Sequence, residues 1–199
     1  MTTGSDRTGP SLPSTPPWLS SALPAEGDWG LEAKPCSASV VSLIRQMDLT
    51  DANLLGNVHG GEVMKLVDTC GGLAAMKHCG GPAATVAMDE MLFLEPVYVG
   101  NVVTVRAMVN DTGSSSMEVG VRVEAENVRT GHRVHTSSAY LVYVALDRDG
   151  KPRKVPPVIA ETDEQRQRQR EAKVRRQLRL GRKQAILEAR QAKGDPVDG

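Results

Sequence analysis

The sequence predicts an α+β domain in which one long helix faces a curved antiparallel sheet. Three observations point there. A stretch from about Gly60 to Cys79 carries apolar residues at helical spacing. Four long Val-rich runs with extended-strand alternation follow it, over 84–97, 101–111, 115–128 and 132–146. The joins between those runs are short, so successive runs pair as an antiparallel meander, and a single helix on such a sheet is an α+β layer arrangement.

Each element follows from its residues. Residues 1–35 hold six of the 12 prolines with many Ser, Thr and Gly, and cannot bury enough apolar area to offset chain entropy. They are expected to form a disordered Pro/Ser-rich arm, with Trp18 and Trp29 either docking it or lying solvated. "SASVVSLIRQM", Ser37 to Met47, has the β-branched richness of a strand. A loop over 51–61 leads into the helix, where Val63, Met64, Val67, Cys70 and Ala74 form the apolar stripe. Pro96 and Gly100 mark the first turn of the meander, and "NDTGSSS" and "NVRTGH" supply Asn, Asp and Gly for the next two. The folded domain is expected over 36–158. From about Ala160 the composition shifts to Gln, Arg, Glu and Ala. Val174, Leu178, Ile186 and Leu187 make a patchy stripe broken by Gly181, so 159–199 is expected to be a charged tail, partly helical or loose.

Composition removes several function classes. Net formal charge is +0, but residues 161–199 hold 11 Lys/Arg against 7 Asp/Glu. A basic polar helix of this kind is usually a solvated face rather than a nucleic-acid site, and 3% aromatic residues leave few stacking platforms for bases. Cys36, Cys70 and Cys79 are odd in number and lack CxxC spacing, against both a disulfide framework and a zinc ribbon. The start of the chain lacks a secretory pattern and there is no 18-residue apolar run, so the expected location is the cytoplasm, without membrane partners.

One residue disturbs the helical pattern. Asp68 falls between Met64 and Gly71/Ala75 at helical spacing, on what should be the buried side. An unpaired charge there is expensive to bury, and burial would lift its pKa toward the range useful for a base. The alternatives are an edge position with a solvated carboxylate, or a structural hydrogen bond.

The stretches "GNVHGGEVMKLVDTCGG", "TVAMDEMLFLEPVYVGNVVTV", "TGSSSMEVGV" and "SSAYLVYVALDRDGKPRKVP" together resemble the acyl-coenzyme A thioesterases of the hotdog fold. The likeness is to the branch shared by bacterial short- and medium-chain thioesterases and brain-type cytosolic acyl-CoA hydrolases, and it covers about Ser37 to Pro157. It implies about five strands wrapped around the helix, homodimers joined sheet edge to sheet edge, and often a trimer of such dimers. It further implies an acyl-CoA substrate bound between protomers and no separate cofactor, coenzyme A being part of the substrate. By resemblance Asp68 is the acid, acting as general base or nucleophile, and Asn57 the active-site asparagine. Ser114, Ser115 and Ser116 in the "TGSSSM" turn, with Lys151, Arg153 and Lys154 after the last strand, fall where relatives meet coenzyme A.

These residue types suit thioester hydrolysis. Attack on the carbonyl creates an oxyanion, and a helix N-terminus offers unpaired N–H groups and partial positive charge. Gly60 and Gly61 permit close approach to that backbone, or simply a tight entry into the helix. The Gly61 N–H is therefore a candidate oxyanion donor. His59 could cap the helix, donate to substrate or orient Asn57. Asp68 lies eight residues beyond Gly60, roughly 12 Å along the axis, so one carbonyl does not easily meet both in one chain. Two antiparallel helices across a two-fold axis would bring them together.

The remaining candidates are weaker. His132 and His135 face opposite sides of one strand and do not share a metal; His78 and Cys79 have no partner at ligand spacing. No metal site is expected. Cys70 lacks a neighbouring base and suits core filling. Asp89 and Glu90 occupy opposite strand faces. Two other functions compete: a hotdog hydratase or dehydratase, which would want a His–acid pair for proton transfer, and a non-catalytic acyl-CoA sensor or interaction protein.

Overall fold

The computed structural model describes residues 29–193. Most of the expected N-terminal arm, Trp18 included, therefore lies outside the described residues, as do residues 194–199. Strand β1 (Lys34–Pro35) leads through a 3₁₀ turn (Cys36–Ser39) into β2 (Val41–Gln46). Helix α1 (Gly60–Cys79) is followed by β3 (Ala83–Phe93), β4 (Val102–Thr112), β5 (Ser116–Glu126) and β6 (Arg133–Ala145). A short β7 (Val158–Ile159) and helix α2 (Asp163–Lys193) complete the chain. β2–β6 form one five-stranded antiparallel sheet in the order β2-β4-β5-β6-β3, leaving β2 and β3 as edges. β1 and β7 pair in parallel beside it.

Period-2 alternation sends Val103, Val105 and Val109 of β4, Met117, Val119 and Val123 of β5, and Ala139, Leu141 and Tyr143 of β6 to one face. There they meet the α1 stripe of Val63, Val67, Cys70 and Ala74, all nearly solvent-free. The core is built from small side chains, so helix and sheet approach closely: Cys70 Sγ lies 3.5 Å from the Val105 carbonyl. Both ends of α1 are capped. His59 Nδ1 accepts the Gly61 N–H, and Gly80 takes the left-handed conformation (φ 73°) while donating to Met76 O.

Three boundaries differ from expectation. The strand expected over 37–47 begins only at Val41, as β2, because the Ser39 hydroxyl donates to Cys36 O and accepts the Val109 N–H, closing a turn first. β3 stops at Phe93: the Leu94 and Glu95 amides both turn to Thr136 O, and the Val97 carbonyl instead accepts Val58 N–H before α1. The C-terminal segment is one 31-residue helix, uninterrupted at Gly181. It starts on a reciprocal cap in which Thr162 Oγ1 accepts Gln165 N–H and Gln165 Oε1 accepts Thr162 N–H.

Helix α2, expected as a partly helical or loose tail, instead docks on the sheet, and not through its patchy apolar stripe. Val174 and Leu178 are 53% and 69% exposed. Ala172 is buried against the outer sheet face, Arg175 pairs with Glu118 of β5, Arg179 with Asp89 of β3, and Gln169 bonds Asp111 of β4. Among the described residues no helix is long and apolar enough to cross a membrane.

Candidate active site on the rim of the central helix

Within this chain Asp68 is exposed, contrary to the expected burial. The buried stripe runs through Val63, Val67, Cys70/Gly71 and Ala74, and Asp68 stands one step round the helix, between half-exposed Met64 and Met76. Its carboxylate is nevertheless held. Thr85 Oγ1 donates to Oδ1 at 2.7 Å. The Tyr143 hydroxyl donates to the Asp68 carbonyl at 2.9 Å and lies 3.3 Å from Oδ1.

The clamp is built by the fold. Thr85 and Tyr143 face each other across β3 and β6, and the register shifts between Thr85 and Ala87, turning Val86 outward. Tyr143 is 1% exposed, and its ring end fills the space where Gly71 lacks a side chain: a Cβ there would stand 2.4 Å from the hydroxyl oxygen. Burial, and then the Asp68 charge, push the Tyr143 phenol far above its ordinary range. It stays a donor at any ordinary pH.

At the helix start, the Gly61 N–H is occupied within this chain by His59 Nδ1 at 2.9 Å. An acceptor at Nδ1 places the proton of a neutral ring on Nε2, an assignment made from this geometry. Asn57 is half-buried and joins Tyr98 by an isolated backbone bridge. Asn53, not singled out from sequence, lies in the same loop with its side chain held. Its Oδ1 accepts the Leu55 and Asn57 N–H groups at 2.8 and 3.2 Å, which turns its NH₂ away from the loop. The available signal was the Asx-type turn of Asn53-Leu54-Leu55-Gly56, which needs Gly56 at φ 81°. Thr85 and Tyr143 had no local signal, since only the strand pairing brings them to Asp68.

The structure does bring the serine turn beside the basic loop. Ser114 O accepts Val155 N–H and Ser115 O accepts Ala145 N–H, while the Gly113 N–H closes the turn on Ser116 O. Lys151 and Lys154 are exposed. Arg153 turns inward instead: it is 9% exposed, donates to Leu146 O, Cys79 O and Lys154 O, and stacks 3.8 Å from the Trp29 ring centre. Such a guanidinium pins the loop to the end of α1 rather than awaiting a phosphate. A cation that does reach the serine turn is Arg176 of α2, whose Nη1 lies 2.6 Å from where a Cβ on Gly113 would stand.

The other candidates fall to structural places. Burial pushes the Cys70 thiol up to about 11. His78 is buried with Nε2 on Pro156 O, and His135 Nε2 is near Ser137 O and Ser138 Oγ. Asp89 pairs with Arg179, whereas Glu90 is exposed. Among the described residues no group of three or more His, Cys, Asp or Glu is arranged to hold a metal.

Comparison with known proteins gives this arrangement a family. The thioesterase superfamily model matches residues 55–132. The cytosolic acyl coenzyme A thioester hydrolase of Mus musculus is 36% identical over 146 residues, 72% of this chain and 38% of that protein. The chain thus spans about two fifths of that relative's length. An uncharacterized acyl-CoA thioester hydrolase of Bacillus subtilis is 35% identical over 134 residues, 67% of this chain and 78% of its own. Among solved structures, an acyl-CoA hydrolase from Staphylococcus aureus in complex with butyryl coenzyme A and coenzyme A aligns with TM-score 0.74 and 31% identity, covering 82% of this chain and 99% of its own. An apo-hexameric acyl-CoA thioesterase aligns with TM-score 0.74 and 34% identity, over 76% and 97%. The long α1 against a five-stranded antiparallel sheet is the hotdog architecture of these enzymes, and the chain belongs to the thioesterase superfamily.

Proposed function

We propose that this chain hydrolyses acyl-CoA thioesters in the cytoplasm, with Asp68 as general base or nucleophile in a site shared between two copies. The observation that carries the reading is the held carboxylate: Asp68 is fixed by Thr85 and Tyr143 yet left facing outward from the helix. Met64, Leu73 and Met76 of α1 and Val86, Leu92 and Phe93 of β3 leave exposed apolar side chains on these two elements, and β3 is an unpaired sheet edge. A second copy pairing along this edge would exclude water there and supply the low-dielectric setting that a base or nucleophile needs. The hexameric relative fits further assembly of such dimers.

The S. aureus enzyme has been altered at an asparagine, an aspartate and a threonine. Those three stand fifteen and seventeen residues apart, the separations of Asn53, Asp68 and Thr85 here. Asn57 is eleven residues from Asp68. We therefore assign the amide that polarises the carbonyl or orients water to Asn53, with Asn57 fixing the direction of its carboxamide. The Gly61 N–H serves as oxyanion donor only if the His59 ring swings away; otherwise His59 offers its Nε2–H. Ser114, Ser115 and Ser116 with Lys151, Lys154 and Arg176 form the surface for the phosphate end of coenzyme A, where cations are apt.

Purified protein incubated with an acyl-CoA panel, with release of free thiol recorded, is the direct test. Asp68→Asn should lower turnover by about a hundredfold or more while the chain stays folded, as for removal of a general base. Mixing Asp68→Asn with Asn53→Ala chains should restore part of the activity through hybrid dimers. Near-normal turnover by Asp68→Asn defeats the catalytic assignment, and no recovery after verified exchange defeats the shared site.

A further inference from the structure

The loop that carries Asn53 is braced at its base by one guanidinium. Residues 51–59 form a small hairpin: His59 N–H donates to Asp51 O at 2.7 Å, Ala52 and Val58 bridge, and Asn53 N–H donates to Asn57 O at 2.7 Å. Its tip projects, with Leu54 and Leu55 exposed, so its position is set from the base. On one limb Val58 is buried and donates its N–H to Val97 O. On the other limb Asp51, 3% exposed, has both carboxylate oxygens engaged. Arg45 Nη2 donates to Oδ1 at 2.6 Å, and the Asp48 N–H donates to Oδ2 at 2.9 Å.

Arg45 reaches past the loop as well. Its other terminal nitrogen, Nη1, lies 3.5 Å from Glu62 Oε2 in the first turn of α1. Arg45 itself is fixed by β2, where it pairs with Val103 of β4. One planar group on a sheet strand thus touches both the base of the Asn53 hairpin and the start of the central helix. The nitrogens of a guanidinium keep a set separation and direction, which the single ammonium of a lysine does not. Losing the pair would also leave Asp51 charged and buried. β2 is the sheet edge opposite β3, so this brace stands apart from the Thr85–Tyr143 clamp on Asp68.

We propose that Arg45 is a positioning residue for thioester cleavage, holding the Asn53 hairpin and the start of α1 in fixed relation through Asp51 and Glu62. The inference rests on the hydrolase reading above and adds to it the group that orients the amide. In a site shared between copies, Asn53 and the donors at His59 and Gly61 form one half, and Asp68 of the other copy forms the second. The first half comes from two pieces of backbone, a loop and a helix end, and Arg45 ties them together. Precision matters there, because a misplacement of about 1 Å costs up to about a hundredfold in rate. Arg45 acts through Asp51 and Glu62 and touches no reacting atom.

Steady-state kinetics of Arg45→Lys in the full-length protein, on wild-type and Asn53→Ala backgrounds, test this together with hydrogen exchange. The substitution should lower kcat about tenfold while KM changes less than about twofold, as for lost orientation. On the Asn53→Ala background it should lower kcat by less than about a further twofold, since residues acting as a unit are not additive. The Asn53 and His59 amides should exchange about tenfold faster while the Val119 and Val121 amides of β5 are unaffected, a local rather than global loosening. Equal falls in kcat on both backgrounds overturn the proposal. So do loop amides that exchange at the wild-type rate, and so does uniform acceleration of loop and β5 amides, which marks a merely structural loss. If Arg45→Lys does not fold, Glu62→Gln leaves Asp51 paired and should show the same pattern at about threefold; its absence equally overturns the proposal. A wild-type chain that cleaves no acyl-CoA defeats the hydrolase reading, and with it the catalytic purpose of Arg45, whereas the exchange result still decides whether Arg45 orders the loop.

Discussion

The two helices lie on opposite faces of one sheet and are held there by opposite physics. Helix α1 is bound through small apolar side chains packed without solvent, and its contacts with the sheet are spread over Val63, Val67, Cys70 and Ala74. Helix α2 is bound at a few polar points, Gln169–Asp111, Arg175–Glu118 and Arg179–Asp89, around the buried Ala172. Dispersed apolar burial has no charges for salt to screen; a few ion pairs do. The difference teaches where chemistry can be placed. A rigid, densely packed helix can hold Asp68 to a set geometry, whereas a helix held by ion pairs suits a surface that senses charge.

The sharpest way to break this contrast is to disturb the inner packing at the site. Gly71→Ala places a Cβ 2.4 Å from the rigid end of the buried Tyr143 ring. Overpacking of that kind should cost about 3 kcal/mol and displace the hydroxyl from Asp68, so melting temperature and turnover fall together. An unchanged melting curve would mean that the inner face is looser than its packing implies.

On the outer face, Arg175→Ala strands Glu118 and removes a guanidinium stacked 3.6 Å from the Tyr140 ring centre. It should cost about 2 kcal/mol of α2 docking, less than for a fully buried pair because Arg175 keeps some solvent. Hydrogen exchange of α2 amides should quicken while α1 is unaffected. Equal acceleration in both helices would show that the two faces unfold as one unit.

Acid and alkali should separate the faces more gently. Hydrogen bonds hold Glu124, Glu161 and Asp163 below the ordinary carboxylate range, from Arg122, Ser37 and Arg166 respectively. Their folded-state pKa values are depressed, so the stability they contribute is present at neutral pH and is lost as pH falls below about 4.5. Burial raises the thiols of Cys36, Cys70 and Cys79, that of Cys70 to about 11. Their contribution is full below the ordinary thiol value of 9.0 and is lost as pH rises toward 11. NMR amide signals around Glu124, Glu161 and Asp163 should therefore shift first on acidification and those around Cys36, Cys70 and Cys79 first in alkali; the reverse order would refute this reading. The smallest effect belongs to the outward stripe, where Val174→Ser or Leu178→Ser should change stability by less than about 0.5 kcal/mol.

Much of the fold was legible because its signals are local. The apolar spacing of α1, the alternation of β4–β6 and the Gly-containing turns between them depend on neighbours in sequence, and their expected and observed bounds differ by few residues. The start of β2 and the end of β3 were less legible, since the Ser39 hydroxyl and the Thr136 carbonyl that redirect the chain come from distant positions. For the site, Asp68 stood out as a charge within a helical pattern. Its exposure in the single chain did not, because a helical stripe specifies a face only to within about one residue's rotation.

The sequence by itself determined the element order, the α+β class, and the anomaly of a carboxylate on the central helix, all of which follow from periodicity and turn chemistry. Only the tertiary structure decided that Thr85 and Tyr143 hold that carboxylate, that Arg153 turns inward while Arg176 reaches the serine turn, and that α2 docks through its polar face. The physical reason is range. Propensity and hydrophobic spacing act over a few residues, whereas hydrogen bonds and ion pairs join whatever the strand register brings together, here residues seventeen to ninety positions apart.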